Sequence, residues 1–178
     1  LRLLFLCLLL GVLALAGVGS LATAIEKGLQ DQGQVILGGD VEVQMTQRPP
    51  RADELATIRA FGGDVSQTIR MRAMVRTEER QLLAELKAVD GLWPLYGDAA
   101  LQGGGGNAGV QAALAKGAVV STALAEQLGL HPGSEVEIGE AKLPVAAIID
   151  VEPDRAGEGF TFGPSVLVAR DRLPETGL

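Results

Sequence analysis

The sequence predicts an α+β protein in which one N-terminal transmembrane helix leads into an extracytoplasmic mixed α/β domain. Three observations carry that expectation. Leu3 to Ile25 runs for 23 residues without a charge. The stretch "ILGGDVEVQMTQ" (36–47) passes from helical to alternating periodicity across two glycines. From Val41 onward the order reads strand, helix, strand, strand, which is typical of α+β domains.

As a helix the uncharged run would be ~35 Å long, enough for the ~30 Å hydrocarbon core of a bilayer with some tilt. Arg2 precedes it and Glu26 follows it, so retention of positive charge on the cytoplasmic side puts the N-terminus inside and the rest outside. A cleaved secretory signal is the competing reading: Arg2 makes a short basic region, and Ala22-Thr23-Ala24 has the small-x-small form of a cleavage site. Helical spacing nevertheless continues past that cut. Leu21, Ile25, Leu29, Gln32, Val35 and Ile36 fall near one face, and a discarded signal has no reason to extend as an amphipathic helix. The spanning helix with its extension is therefore expected over residues 1–37.

Gly38 and Gly39 can take positive φ, end the helix and turn the chain, with Asp40 able to bond the turn amides. Val41, Val43 and Met45 then alternate with Glu42, Gln44 and Thr46, the period of a strand with one buried face. Arg48-Pro49-Pro50 breaks it. Leu55, Ile58 and Phe61 return at helical spacing, and Gly62-Gly63 is the stop. Strands are expected over 65–75 and 82–89 around the charged turn "RTEER". Arg70, Arg72 and Arg76 sit on alternate positions of the first and read as a solvated face rather than an anion site.

Further along, Trp93 and Tyr96 flank Pro94 and read as a packing anchor at a turn. Gln102 to Gly109, "QGGGGNAG", reads as a flexible surface loop, because a phosphate-cradling loop would need Lys-Ser or Lys-Thr after its glycines. Ser121 or Thr122 can cap a short helix through Leu128, which Gly129 closes. His131-Pro132-Gly133 turns the chain into strands over 134–138 and 143–151 joined at Gly139-Glu140. Residues 164–170 read as one more buried strand, with Asp171 starting a helix.

Composition narrows the chemistry. The net charge is −7, and all but Arg2 of the 15 basic side chains follow residue 25, against 22 acidic ones. A surface of that sign repels phosphate backbones, so no nucleic-acid partner is expected. Cys7 is the only cysteine, so no disulfide or thiolate cluster can form within the chain, and Leu6 before it argues against lipoprotein acylation. His131 is the only histidine, in a Pro-Gly turn, where a solvated residue is expected rather than a triad or metal member. Asp150, Glu152, Asp154 and Glu158 gather in "DVEPDRAGEGF" but lack the positions of a calcium loop, with Pro153 and Arg155 interrupting them. They read as a solvated, partly mobile loop. No catalytic, cofactor-binding or metal residue is expected, and no cofactor.

The combination of "GLQDQGQVILGGDVEV" (28–43), "RAMVRT" (72–77), "ELKAVDGLWPLYGD" (85–98), "LAEQLGLHPGSEVEIGE" (124–140) and "EPDRAGEGFTFGPSVLV" (152–168) resembles the permease subunits of FtsX/MacB-type ABC transporters, in the YbbP-like branch related to LolC and LolE. The resemblance covers nearly the whole chain, apart from the glycine run 103–106. It implies a non-enzymatic subunit of the bacterial inner membrane, with residues 38–91 starting an outer core domain, 92–162 forming an inserted small β-rich module and 163–178 returning to the core. It also implies a cytoplasmic ATPase on a separate chain, a dimer or pseudo-dimer of permease units, contact with the lipid bilayer, and an outer hydrolase or carrier as companion. ATP hydrolysis would be transmitted outward as movement that extracts or exports a lipid-like or amphipathic substrate. A missing initiator Met and the ending at "LPETGL" lead to the expectation that the chain is a piece of a longer protein, its helix the first of several. Within such a role a continuous helix to Leu37, ~50 Å long, is a lever, and Gly38, Gly39 and Asp40 are the expected hinge. The alternative is a secreted or periplasmic non-catalytic binding domain released after Ala24.

Overall fold

In the computed structural model, which describes residues 2–46, 48–154 and 163–178, the apolar N-terminus forms one helix, α1 (Arg2–Leu37). It runs unbroken through Ala22–Ala24, so the small residues of the candidate cleavage site do not interrupt it. Between Leu8 and Ile25 the domain covers none of it. Phe5, Leu10 and Leu15 stand in the open, a surface that needs lipid or another apolar partner.

Gly38 ends the helix at φ +68°. The strand expected next is not formed: residues 41–46 belong to no strand, and Gln47 lies outside the described residues. A strand exists only through its ladder, and here Val41 and Val43 remain largely exposed. Helix α2 (Ala52–Ala60) follows, held at its start by the Arg51 amide donating to Glu54 at 2.9 Å. It buries none of its residues. Phe61, expected on its apolar stripe, is exposed because the chain has already left the helix there.

The body of the domain is a seven-stranded sheet. Its strands are β1 (Thr68–Arg76), β2 (Gln81–Val89), β3 (Ala100–Leu101), β4 (Ala118–Ser121), β5 (Glu135–Ile138), β6 (Ala141–Val151) and β7 (Ser165–Ala169), in the order β3-β6-β4-β7-β2-β1-β5. Since β5 also pairs with β6, the strands β6, β4, β7, β2, β1 and β5 close a ring. Two contacts in it are parallel, β2 with β7 and β4 with β6. Its shortest seams are β1 with β5, which pair only at Val75 and Arg76, and β4 with β7, which pair only at Val119 and Val120. Strands from 68–89, 100–151 and 165–169 thus share one sheet.

The alternation of each strand decides which core it feeds. Val75, Leu86, Val120, Val136, Leu143 and Val166 fill the ring's interior together with Leu124 and Leu128 of α4 (Thr122–Leu128) and Leu173 of a 3-10 turn (Arg170–Thr176). On the outer face, Val89, Val119, Ile149 and Leu167 pack under Val110 and Leu114 of α3 (Gly106–Leu114), with Trp93. β4 is buried along its whole length and β7 along nearly all of it, as strands covered on both faces must be. Gly139, at φ +58°, passes so close to the Thr176 carbonyl that any side chain would collide with it.

Two local expectations need correction and one holds. The glycine-rich stretch is not all loop: Gly103 to Gly105 turn at positive φ, but residues from Gly106 form the first turns of α3. The i, i+3, i+4 spacing of Val110, Ala113 and Leu114 buries that helix and outweighs the weak propensity of its glycines. Strands β3 and β4 were not expected. The cap of α4 was: Ser121 accepts from the Leu124 amide and Gly129 closes the helix at φ +69°.

Candidate functional site

Beneath the end of α1, on the outer face of the sheet, β2 carries a buried lysine. Lys87 shares its strand face with Val89, and Trp93 lies just beyond the end of β2, so the chain places a cation within an apolar layer. Lys87 is 1 % exposed. Moving an ammonium out of water costs several kcal/mol, and the structure offsets this with three neighbours. Nζ donates to Asp154 at 2.5 Å and to Glu152 at 2.7 Å, and stands 4.6 Å from the centre of the Trp93 ring.

Asp154 collects three donors. Besides Lys87, the Trp93 indole N–H donates to it at 2.9 Å and the Arg70 guanidinium at 3.0 Å. Burial pushes its carboxyl up, but the charge and hydrogen bond of Lys87, then the Trp93 and Arg70 contacts, together outweigh burial and hold it below the ordinary carboxylate range. Glu152 also accepts from the Ser165 hydroxyl at 3.3 Å. The Ser165 amide donates to Ser121 Oγ at 2.9 Å, the same oxygen that caps α4. Two cations and two anions therefore form one buried network linking β1, β2, β7 and the segment after β6.

The helix joint rests on that network. A Cβ placed on Gly38 would stand 3.2 Å from the Asp154 Cβ, and Gly39 is buried. Asp40 accepts the Tyr96 hydroxyl at 2.9 Å. That bond, with the carboxylate charge, raises the phenol's pKa. Tyr96 belongs to the turn that holds Trp93 and the cis peptide Trp93–Pro94. Gly38, Gly39, Arg70, Trp93 and Asp154 line one cleft of about 390 Å³. The three residues expected as a hinge thus converge with a charged cluster far away in sequence.

Three expectations change. Glu152 and Asp154 do not sit in a solvated loop; they are the anions of the buried network, and Glu158 lies outside the described residues. Asp150 is exposed and accepts from Thr122 at 2.6 Å and Gln102 at 3.0 Å, which lower its pKa. Arg70 leaves the solvated arginine face to pair with Asp154, while Arg72 and Arg76 remain exposed. Lys87 was missed altogether. His131 is exposed, its ring and its own amide held by Ser134 of the same turn. Among the described residues no group of three or more His, Cys, Asp or Glu could hold a metal ion.

The chain as a whole is similar to known proteins. Residues 3–176 match the MacB-like periplasmic core domain. The uncharacterized ABC transporter permease YbbP of Escherichia coli (strain K12) is 27 % identical over 173 residues, 97 % of this chain and 21 % of the relative. The chain therefore spans about a fifth of that relative's length. The extracellular domain of the noncanonic ABC-type transporter YknZ from Gram-positive bacteria superposes with a TM-score of 0.53 at 14 % identity, covering 71 % of this chain and 65 % of that one. The periplasmic region of MacB from Actinobacillus actinomycetemcomitans gives a TM-score of 0.44 at 11 % identity, covering 69 % and 54 %.

Proposed function

The chain belongs to the family of MacB-like periplasmic core domains, and from that premise we propose that it is the first membrane helix and outer domain of an ABC transporter permease. In this reading a cytoplasmic ATPase on a separate chain drives movement of α1, and the outer domain converts the movement into extraction or export of a lipid-like or amphipathic substrate. The N-terminus lies in the cytoplasm and the domain outside, in keeping with Arg2 before the span and an acidic body after it. Permease units act as a dimer or pseudo-dimer, with an outer hydrolase or carrier to receive what is released. The chain itself is no enzyme.

The observation that carries this reading is the seat of the helix end. Gly38 meets Asp154, Asp40 meets Tyr96, and Trp93 connects both to the buried network. A shift of α1 is therefore delivered to the sheet at Asp154 rather than lost in a slack linker, which makes Gly38, Gly39 and Asp40 the joint. The unbroken course of α1 past Ala24 supports the retained anchor over the cleaved signal. The test is to replace Gly38 and Gly39 together by leucine in the full permease, co-produced with its ATPase in inner-membrane vesicles, and to follow release of a fluorescent phospholipid. ATP hydrolysis should persist while release is lost. Parental release by the double variant would reject the joint; absence of release by the parent would reject the substrate class.

A further inference from the structure

We infer that Asn107 and Gln111 of α3 are positioning residues of the helix joint: they fasten the turn beneath α1 to α3, so that turn and helix move as one piece when the joint moves. The turn is residues 90–99, between β2 and β3, where the chain belongs to no helix or strand. Peptide groups there have no ladder to satisfy them and need partners from elsewhere. The Gln111 side-chain amide donates to the Trp93 carbonyl at 2.6 Å and to the Asp90 carbonyl at 3.1 Å. One helical turn earlier, the Asn107 amide donates to the Gly97 carbonyl at 3.1 Å, and its oxygen accepts the Ala99 amide at 2.8 Å. Residues four apart lie side by side on a helix, so the two side chains grip the turn at both its ends.

The same turn holds the end of α1. Tyr96 donates to Asp40 at 2.9 Å, and the Trp93 indole donates to Asp154, against which Gly38 lies. Pro94 and Leu95 line the cleft together with Gly38 and Gly39. What happens at the joint is therefore passed on in two directions, to the buried network through Asp154 and to α3 through the turn.

The two ends of α3 differ in their freedom. Before it, the Gln102 amide is tied to the Ile148 carbonyl of β6 at 2.9 Å. Gly103 and Gly104 follow at φ +96° and +89°, with open space where a side chain would stand, so the chain can change direction there without displacing a neighbour. After α3, a side chain on Gly117 would collide with the Pro144 carbonyl of β6, which clamps that end. Asn107 sits beside the free end. A tilt of α3 about its clamped end, led by Asn107, is the movement this geometry allows. That α1 moves in transport rests on the role proposed above; the fastening does not, and it is measured without ATP or substrate.

The test perturbs the joint and reads α3 in the full chain in detergent micelles. Gly38→Val places a branched side chain against the Asp154 Cβ at a φ of +68° that valine resists. Amide hydrogen exchange is followed over 107–114, with α4 as the reference. Gly38→Val should speed exchange over 107–114 about threefold or more and leave α4 unchanged. With Asn107→Ala and Gln111→Ala present, adding Gly38→Val should change 107–114 no further. A merely structural role for the two side chains would raise exchange over 91–99 without altering how α3 answers Gly38→Val. If the double variant loses protection in α4 as well, Gln111→Met alone, which keeps the bulk and removes the donor, should still weaken the answer of α3. An α3 that ignores Gly38→Val, or that responds equally with and without these side chains, would overturn the fastening.

Discussion

The ring and the front of the domain differ in almost every physical respect. From β1 to β7 the chain buries β4 and β7 on both faces and its longer strands on at least one, closes a circle of hydrogen bonds and neutralises the buried Lys87 with two carboxylates. From Gly38 to Ser66, Gly39 is the only buried residue among those described, and α2 is held by ion pairs at its start. Hydrophobic burial gives roughly 25 cal/mol per Å² of apolar surface, so stability resides in the ring, and the front can change position at little cost. The difference lies along the chain: the apolar helix α1 is attached to the sparsely buried front, and Gly38 at its end lies against Asp154 of the buried network.

The sharpest way to break this contrast is to strike the network where the two regions meet. Lys87→Met removes the cation and leaves Glu152 and Asp154 buried side by side. Breaking a buried pair from one side costs about 3–5 kcal/mol, which for a domain of this size lowers Tm by roughly 2–4 °C for each kcal/mol. Trp93, the only tryptophan, lies against Lys87 and reports the transition through its fluorescence. Adding Glu152→Gln and Asp154→Asn to Lys87→Met should recover most of the loss, since no buried charge is then stranded. A single Lys87→Met variant as stable as the parent would show that the network contributes no stability.

Acid probes the same place more gently. The Asp154 carboxyl is held below its unfolded value, so its contribution is complete above the ordinary carboxylate range and disappears as pH falls through the depressed native value. Asp154→Asn should therefore be less stable than the parent at neutral pH, with the gap narrowing between about pH 5 and the depressed value. Tm measured against pH by Trp93 fluorescence checks this. Parallel curves for the two proteins would assign the acid sensitivity elsewhere.

These contrasts also explain what the sequence made legible. Period and punctuation are local signals, and they located α1, α2, the β1–β2 hairpin, the Ser121–Gly129 helix and the β5–β6 hairpin to within a few residues. The network is a sum of distant pairings: Lys87 lies 65 residues from Glu152 and 67 from Asp154. Nothing near Asp154 in the sequence marks it as buried, and its neighbours Pro153 and Arg155 suggest a solvated turn. The usable signal was Lys87 itself, a cation two residues before Val89 on a strand ending beside the only tryptophan. The strand expected over 41–47 fails for a related reason. Its alternation is correct, but a ladder depends on a partner that the pattern does not contain.

The smallest effect belongs to the front. Arg48 clasps Glu54 with two contacts of 2.7 Å. The Arg48 hydrogen bond, then the Arg51 amide, lower the Glu54 carboxyl to about 2. A shift of that size suggests an important contact, yet the Arg48 side chain is 50 % exposed, and solvent screens such pairs until little of the Coulomb energy is left. Exposure decides. Glu54→Gln should leave the Trp93 transition where it was, at pH 7 and at pH 3, because the ring it reports on does not depend on how α2 begins. The variant still has a local consequence, since amide exchange at the start of α2 should rise as the Arg51 amide loses its carboxylate acceptor. If the Trp93 transition itself moved, the front would be coupled to the ring through α2 as well as through Gly38, and the division between a rigid body and a movable front would have to be redrawn with α2 on the rigid side.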